Sequence, residues 1–205
     1  FSGLLYSVLH TQGETLEERD GIEIADQQPL FSLEAVDTGR TYSQLRAVRD
    51  ISRAKYGKLE RLQEAHKGGL FNDFRTYPYL NDLLDDRYTE LADYAAQHVA
   101  PSIGQGMIPV VLKRFDYEDT VAQARRLDIL ISLDAPQVAD MVPRIFSDPL
   151  AKLQVTALRY MEKDPANEAF LLSLTGHKKK DVREAAYRSL LRMGSVSAVE
   201  TLRDM

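Results

Sequence analysis

The chain has 205 residues, 26 basic and 31 acidic, with a formal net charge of -5 and neither Cys nor Trp. That balance argues against a protein that coats nucleic acid non-specifically, and the lack of Cys excludes disulfides, zinc-thiolate sites and cysteine nucleophiles. Hydrophobic residues make up 44% of the chain but aromatics only 8%, so the apolar content is mostly Leu, Ala, Val and Ile, which suits helix packed on helix.

Phe1, Leu4, Leu5, Val8 and Leu9 fall on one helical stripe, which Gly13 is placed to end; no basic segment precedes it, as a signal peptide would require. Residues 14–40 read as loop broken by Gly21, Pro29 and Gly39, with a short helix at Leu30–Ala35. From Thr41 to Lys67, the apolar residues Leu45, Val48, Ile51, Tyr56, Leu59 and Leu62 recur near a 3.6 period, so the pattern predicts one long helix stopped by Lys67-Gly68-Gly69.

A repeated layout then begins. Pro143 stands 34 residues after Pro109, and Pro78 stands 31 residues before it, each within an apolar-Pro-x-x-apolar segment. Self-similarity at this period is the mark of stacked helical pairs, each burying its apolar face on its neighbours. The prolines are expected near the start of their helices, where a missing N–H costs little. Between them run helices rich in Ala and Leu, Leu91–Val99 and Val121–Leu133, with the Gly104 to Gly106 stretch as a turn. Asp148-Pro149 and Asp164-Pro165 each place a capping carboxylate before a Pro. Asp181 and Glu184 form a capping-box pattern, with Ala185, Ala186, Leu190 and Leu191 as the inner face, Gly194 as the stop and Val199–Arg203 as a last helix cut short. Arg125 or Arg126 is expected to pair with Asp116, Glu118 or Asp119 as a rung between neighbouring loops.

These residues resemble the HEAT repeat: Asp181, Val182, Arg183, Ala185, Ala186, Leu190 and Gly194 match its second half, and Tyr77-Pro78, Ile108-Pro109 and Val142-Pro143 its first. The region from about residue 70 to 205 is also similar to HEAT-repeat proteins of bacteria, especially across A-D-Y-A-A-Q-H-V-A-P-S-I-G and A-R-R-L-D-I-L. The resemblance implies an all-α, right-handed α-solenoid of antiparallel helical pairs, an armadillo-like superhelix. Its organisation would be an N-terminal helix and loop region at 1–40, followed by four to five pairs over 41–205. It further implies a non-catalytic scaffold that binds a protein or peptide partner along its concave wall, and the absence of Cys makes the cytoplasm the expected location.

If the Pro-bearing helices line that wall, Lys113, Arg114, Arg144, His177 and Arg203 are its basic candidates. Phe71, Phe74, Tyr77 and Tyr79 form an aromatic group suited either to a partner or to the core of a first repeat. His10, His66, His98 and His177 are scattered without metal-ligand spacing, and neither a metal nor a cofactor is expected. Asp82, Asp85 and Asp86 form a carboxylate cluster of the kind acid–base chemistry uses, yet no nucleophile or partner base accompanies them. Two enzymatic alternatives share the implied architecture: alkylpurine DNA glycosylases and phycobilin lyases. The first would want clustered basic residues and aromatics, often Trp. No run of 18 apolar residues is present, so no membrane span is expected.

Overall fold

The computed structural model describes residues 39–195. The chain divides into two compact units, Phe1–Ser32 and Leu33–Met205, and every described residue belongs to the second. The helices expected at Phe1–Leu9, Leu30–Ala35 and Val199–Arg203 lie outside the described residues. The rest is all-α, with no strand among the described residues.

The expected helix from Thr41 to Lys67 is instead two helices. Helix α1 (Tyr42–Arg49) opens with a capping box, in which Thr41 accepts from the Gln44 N–H and the Gln44 side chain accepts from the Thr41 N–H at 2.9 Å. Helix α2 (Lys58–Lys67) starts after Gly57, whose φ of 65° lies in the left-handed region that ends a helical run. Val48 and Ile51 (each 2% exposed) and Leu62 (0%) are all buried around the turn between the two helices.

A short 3₁₀ turn at Phe74–Thr76, capped by Asp73, leads into α3 (Tyr77–Leu83). Hydrogen bonds from Arg75 hold the Asp73 carboxyl below the usual carboxylate range, although its burial opposes this. Helix α4 (Thr89–Tyr94) then runs through a π turn, Ala95–Val99, into α5 (Ala100–Ile103). Pro101 supplies the cause: it has no N–H to give, its ring crowds the preceding turn, and widening to a π turn relieves both. Ala92, Ala95, Ala96 and Ala100 are all buried along this stretch, where a later helix approaches closely.

Pro78 and Pro109 are second residues of α3 and of α6 (Ile108–Leu112), as expected. Pro143 is not: it lies inside α8 (Val138–Ser147). The two prolines nonetheless share a register. A 3₁₀ turn, Gly104–Met107, precedes α6 directly, and counting from Gly104 places Pro109 sixth, the position Pro143 holds in α8. The interior proline is tolerated because buried Val138, Met141, Val142 and Ile145 anchor the helix on both sides of it.

Four further helices complete the described chain: α7 (Val121–Ser132), α9 (Ala151–Met161), α10 (Glu168–Leu174) and α11 (Lys180–Met193). Helix α9 packs on both α7 and α11, while α6, α8 and α10 pack on α7, α9 and α11 respectively. Leu127, Leu130, Leu158, Leu171, Val182, Ala186 and Leu190 are fully buried between these helices, and each buried Leu contributes about 1.5–3 kcal/mol of transfer free energy.

The capping expectations divide. Asp164 does cap, accepting the Ala166 N–H at 2.9 Å. Asp148 instead ends α8, and the open N–H of Lys152 in α9 is taken at 2.6 Å by Asp119 from the loop before α7. Asp181 sits inside α11, whose N-cap is Lys179, with no side-chain cap. Leu191, expected on the inner face of that helix, is 52% exposed.

Candidate interaction surface

Most of the basic residues expected to line a wall are already engaged. Arg114 reaches back to Asp82 and to Asp85, the latter at 3.3 Å. The Arg144 guanidinium lies over the Tyr117 ring, 3.8 Å from its centroid, and Tyr117 meets Phe115 edge-on at 5.3 Å. Main-chain groups occupy His177: its Nδ1 accepts the Lys179 N–H at 3.2 Å and its carbonyl accepts from Arg183 at 2.7 Å. Lys113, at the end of α6, is exposed, and Arg203 lies outside the described residues. The aromatic group splits as well. Phe71 and Tyr77 belong to the core, Tyr79 is half-buried and Phe74 is 44% exposed.

The carboxylates of Asp82, Asp85 and Asp86 each face a cation, so they serve as ion-pair partners. Arg114 meets Asp82, Arg126 meets Asp85, and Lys58 meets Asp86 at 2.6 Å. Arg126 is 1% exposed. It grips Asp85 with two hydrogen bonds of 2.8 and 2.7 Å and also bonds the Asn81 side chain and carbonyl at 3.1 and 3.2 Å. The Asn81 amide then donates to the Val110 carbonyl at 2.8 Å. One guanidinium thus joins α7 to α3, and Asn81 extends the join to α6.

The pairing expected between Arg125 or Arg126 and the acidic loop of Asp116, Glu118 and Asp119 is therefore replaced. Arg125 bonds Asp93 at 2.8 Å and the Leu84 carbonyl at 3.2 Å. Both arginines point toward the preceding helices, and Asp119 serves the following one. The same device recurs. Asp128 of α7 pairs with Arg159 of α9, and Glu162, just after α9, pairs with Arg192 of α11 at 3.2 Å. Along the chain two of these arginines are followed three residues later by an acidic residue, Arg125 by Asp128 and Arg159 by Glu162. One charge pairs backward and the other forward. That spacing is a signal the sequence carried, and it puts both charges on one face of a helix.

A groove of about 420 Å³ is lined by the three alternate helices α7, α9 and α11. Ala151, Val155 and Thr156 of α9 form its floor, with Val121 and Ala124 of α7 on one side and Glu184, Ala185 and Arg188 of α11 on the other. Helices on both sides of α9 can share a groove only if α9 is set back between them. Lys152 of α9 also lines the groove, and Val121 is 51% exposed within it. None of these residues stood out in the sequence, because small apolar positions on an amphipathic helix look like ordinary core.

Two histidines meet next to the π turn. His66 Nε2 lies 3.1 Å from Ser102 Oγ, and Nδ1 lies 3.2 Å from the Tyr94 hydroxyl. Ser102 already donates its proton to the Val99 carbonyl at 2.7 Å, so it accepts from Nε2–H and Tyr94 donates to Nδ1. Burial, and then the nearby His98, push the His66 pKa below its ordinary value. Among the described residues no group of three His, Cys, Asp or Glu side chains could hold a metal ion, and no helix is long and apolar enough to cross a membrane.

Comparison of the chain with protein-family models, with curated proteins and with solved structures finds no match.

Proposed function

We propose that the repeat-bearing region is a right-handed α-solenoid of HEAT-like helical pairs, a cytoplasmic, non-catalytic scaffold that holds a protein partner in the groove above α9. The observation that carries this reading is the groove itself. It runs across the three alternate helices α7, α9 and α11, with Val121, Ala124, Ala151 and Val155 as its apolar lining, as a partner helix would require. The ion pairs from one helix to the next, separated by 32, 31 and 30 residues, support a regular stack of pairs. Two basic candidates of the nucleic-acid alternative are engaged within the chain, Arg114 with two carboxylates and Arg144 with Tyr117, which favours the scaffold reading.

Ala124→Glu and Val155→Glu place a charge in the groove at half-exposed positions, where the fold can accommodate it. Affinity capture from the source cells, read by mass spectrometry, is expected to recover a partner with the native chain and to lose it with both variants. Equal recovery by the native and variant chains, or turnover of a small substrate with no partner recovered, would sink the proposal.

A further inference from the structure

A second groove lies on the other side of α9, between α8 and α10. It has a volume of about 540 Å³ and is lined chiefly by Pro143, Phe146, Tyr160, Met161, Asp164 and Phe170. Phe146 and Phe170 stand edge-to-face with centroids 5.1 Å apart, and Phe170 is 39% exposed to the groove's solvent. The lining therefore offers aromatic surfaces, a thioether and one ionised group, a carboxylate.

That carboxylate is open. Asp164 Oδ1 accepts the Ala166 N–H at 2.9 Å, while Oδ2 has no partner among the described residues. Three cations close by in sequence could have neutralised it, and each is held elsewhere. Arg144, next to Pro143, lies over Tyr117. Arg159, next to Tyr160, pairs with Asp128. Lys163, next to Asp164, bonds Asp134 at 2.5 Å and the Ile131 carbonyl at 3.2 Å. The groove keeps a negative charge beside aromatic rings with no positive group of its own.

Aromatic faces attract cations through their quadrupole, and a neighbouring carboxylate adds a charge that a neutral ligand cannot exploit. The size falls in the range of small-molecule sites. We propose that the groove between α8 and α10 binds a small organic cation of the alkylammonium class, its methyl or methylene groups against Phe146 and Phe170 and its charge in front of Asp164. The site shares no lining residue with the groove above α9, so it stands or falls apart from the scaffold reading.

Choline and its neutral carbon isostere 3,3-dimethylbutanol separate charge from shape. In NMR titrations of the full chain, choline is expected to give saturable shifts confined to the Phe146, Tyr160 and Phe170 rings, with the isostere at least fivefold weaker. Asp164→Asn keeps a cap acceptor for Ala166, so the fold is expected to persist by circular dichroism while choline binding weakens at least fivefold. Phe170→Leu keeps an apolar side chain and is expected to weaken choline more than the isostere. Equal binding of the two probes, or shifts spread over the whole surface, would overturn the proposal. So would a tripeptide acetyl-Leu-Lys-Leu-amide that binds more tightly than choline, since the cation would then belong to a peptide.

Discussion

Two junctions in this unit use the same chemistry at different depths. Where α7 meets α3, a buried arginine is satisfied by Asp85 and by both polar groups of Asn81. Where α7 meets α9, Arg159 pairs with Asp128 at the surface, with the arginine side chain 51% exposed. The difference teaches that an Arg–Asp pair has no fixed worth. Removing one partner from a buried network leaves the others desolvated and unpaired, whereas an exposed pair exchanges one set of water contacts for another. The first junction therefore depends on its polar network, and the second depends on the leucines beneath its rungs.

Removing the buried charge should produce the largest effect. Arg126→Ala is expected to destabilise the unit by about 1–3 kcal/mol in urea unfolding, because the buried Asn81 loses its donor while the half-exposed Asp85 keeps Arg114. A loss under about 1 kcal/mol would show that water replaces the guanidinium, and the contrast between the junctions would collapse. At the exposed rung, Arg159→Ala is expected to cost only about 0.5 kcal/mol, and less as salt is raised. A cost as large as that of Arg126→Ala would mean the rungs act as one cooperative network.

The smallest effect concerns His66, a third kind of junction, which joins α2 to α4 and α5 on either side of the π turn through neutral hydrogen bonds. Burial and then His98 lower its folded pKa, so the folded state disfavours the imidazolium relative to the unfolded chain, where His titrates near about 6.5. Its contribution is complete above that value and declines as pH falls toward the lower folded pKa. Unfolding measured across this window should show stability falling on the acid side in the native chain and a flatter profile in His66→Gln. An unchanged profile would remove His66 from the acid response.

The fold class was legible because helices announce themselves through local periodicity. Leu127 and Leu130, and Ala185, Ala186 and Leu190, repeat at the helical spacing and are buried as that spacing requires. Helix ends were read less well. Gly57 broke an expected helix, and Asp148 and Asp181 looked like caps but are not, since the N–H group at the start of α9 was claimed by Asp119 from a distant loop. The candidate surface was the least legible part. Positive charge on a helix suggested a binding stripe, but whether Arg114 and Arg144 are available depends on Asp82, Asp85 and Tyr117, which adjoin them only in three dimensions.

The sequence by itself determined that the chain is helical, that the Pro-bearing units recur, and that arginine and acidic residues three apart share a helix face. Each of these rests on interactions within one or two turns of backbone. Only the tertiary structure decided which charge meets which and which small residues leave an open groove above α9. It also brought Asp164 into one groove with Phe146, Tyr160 and Phe170. Those outcomes depend on side chains some thirty residues apart approaching within a few ångströms, and local spacing has no means to encode such distances.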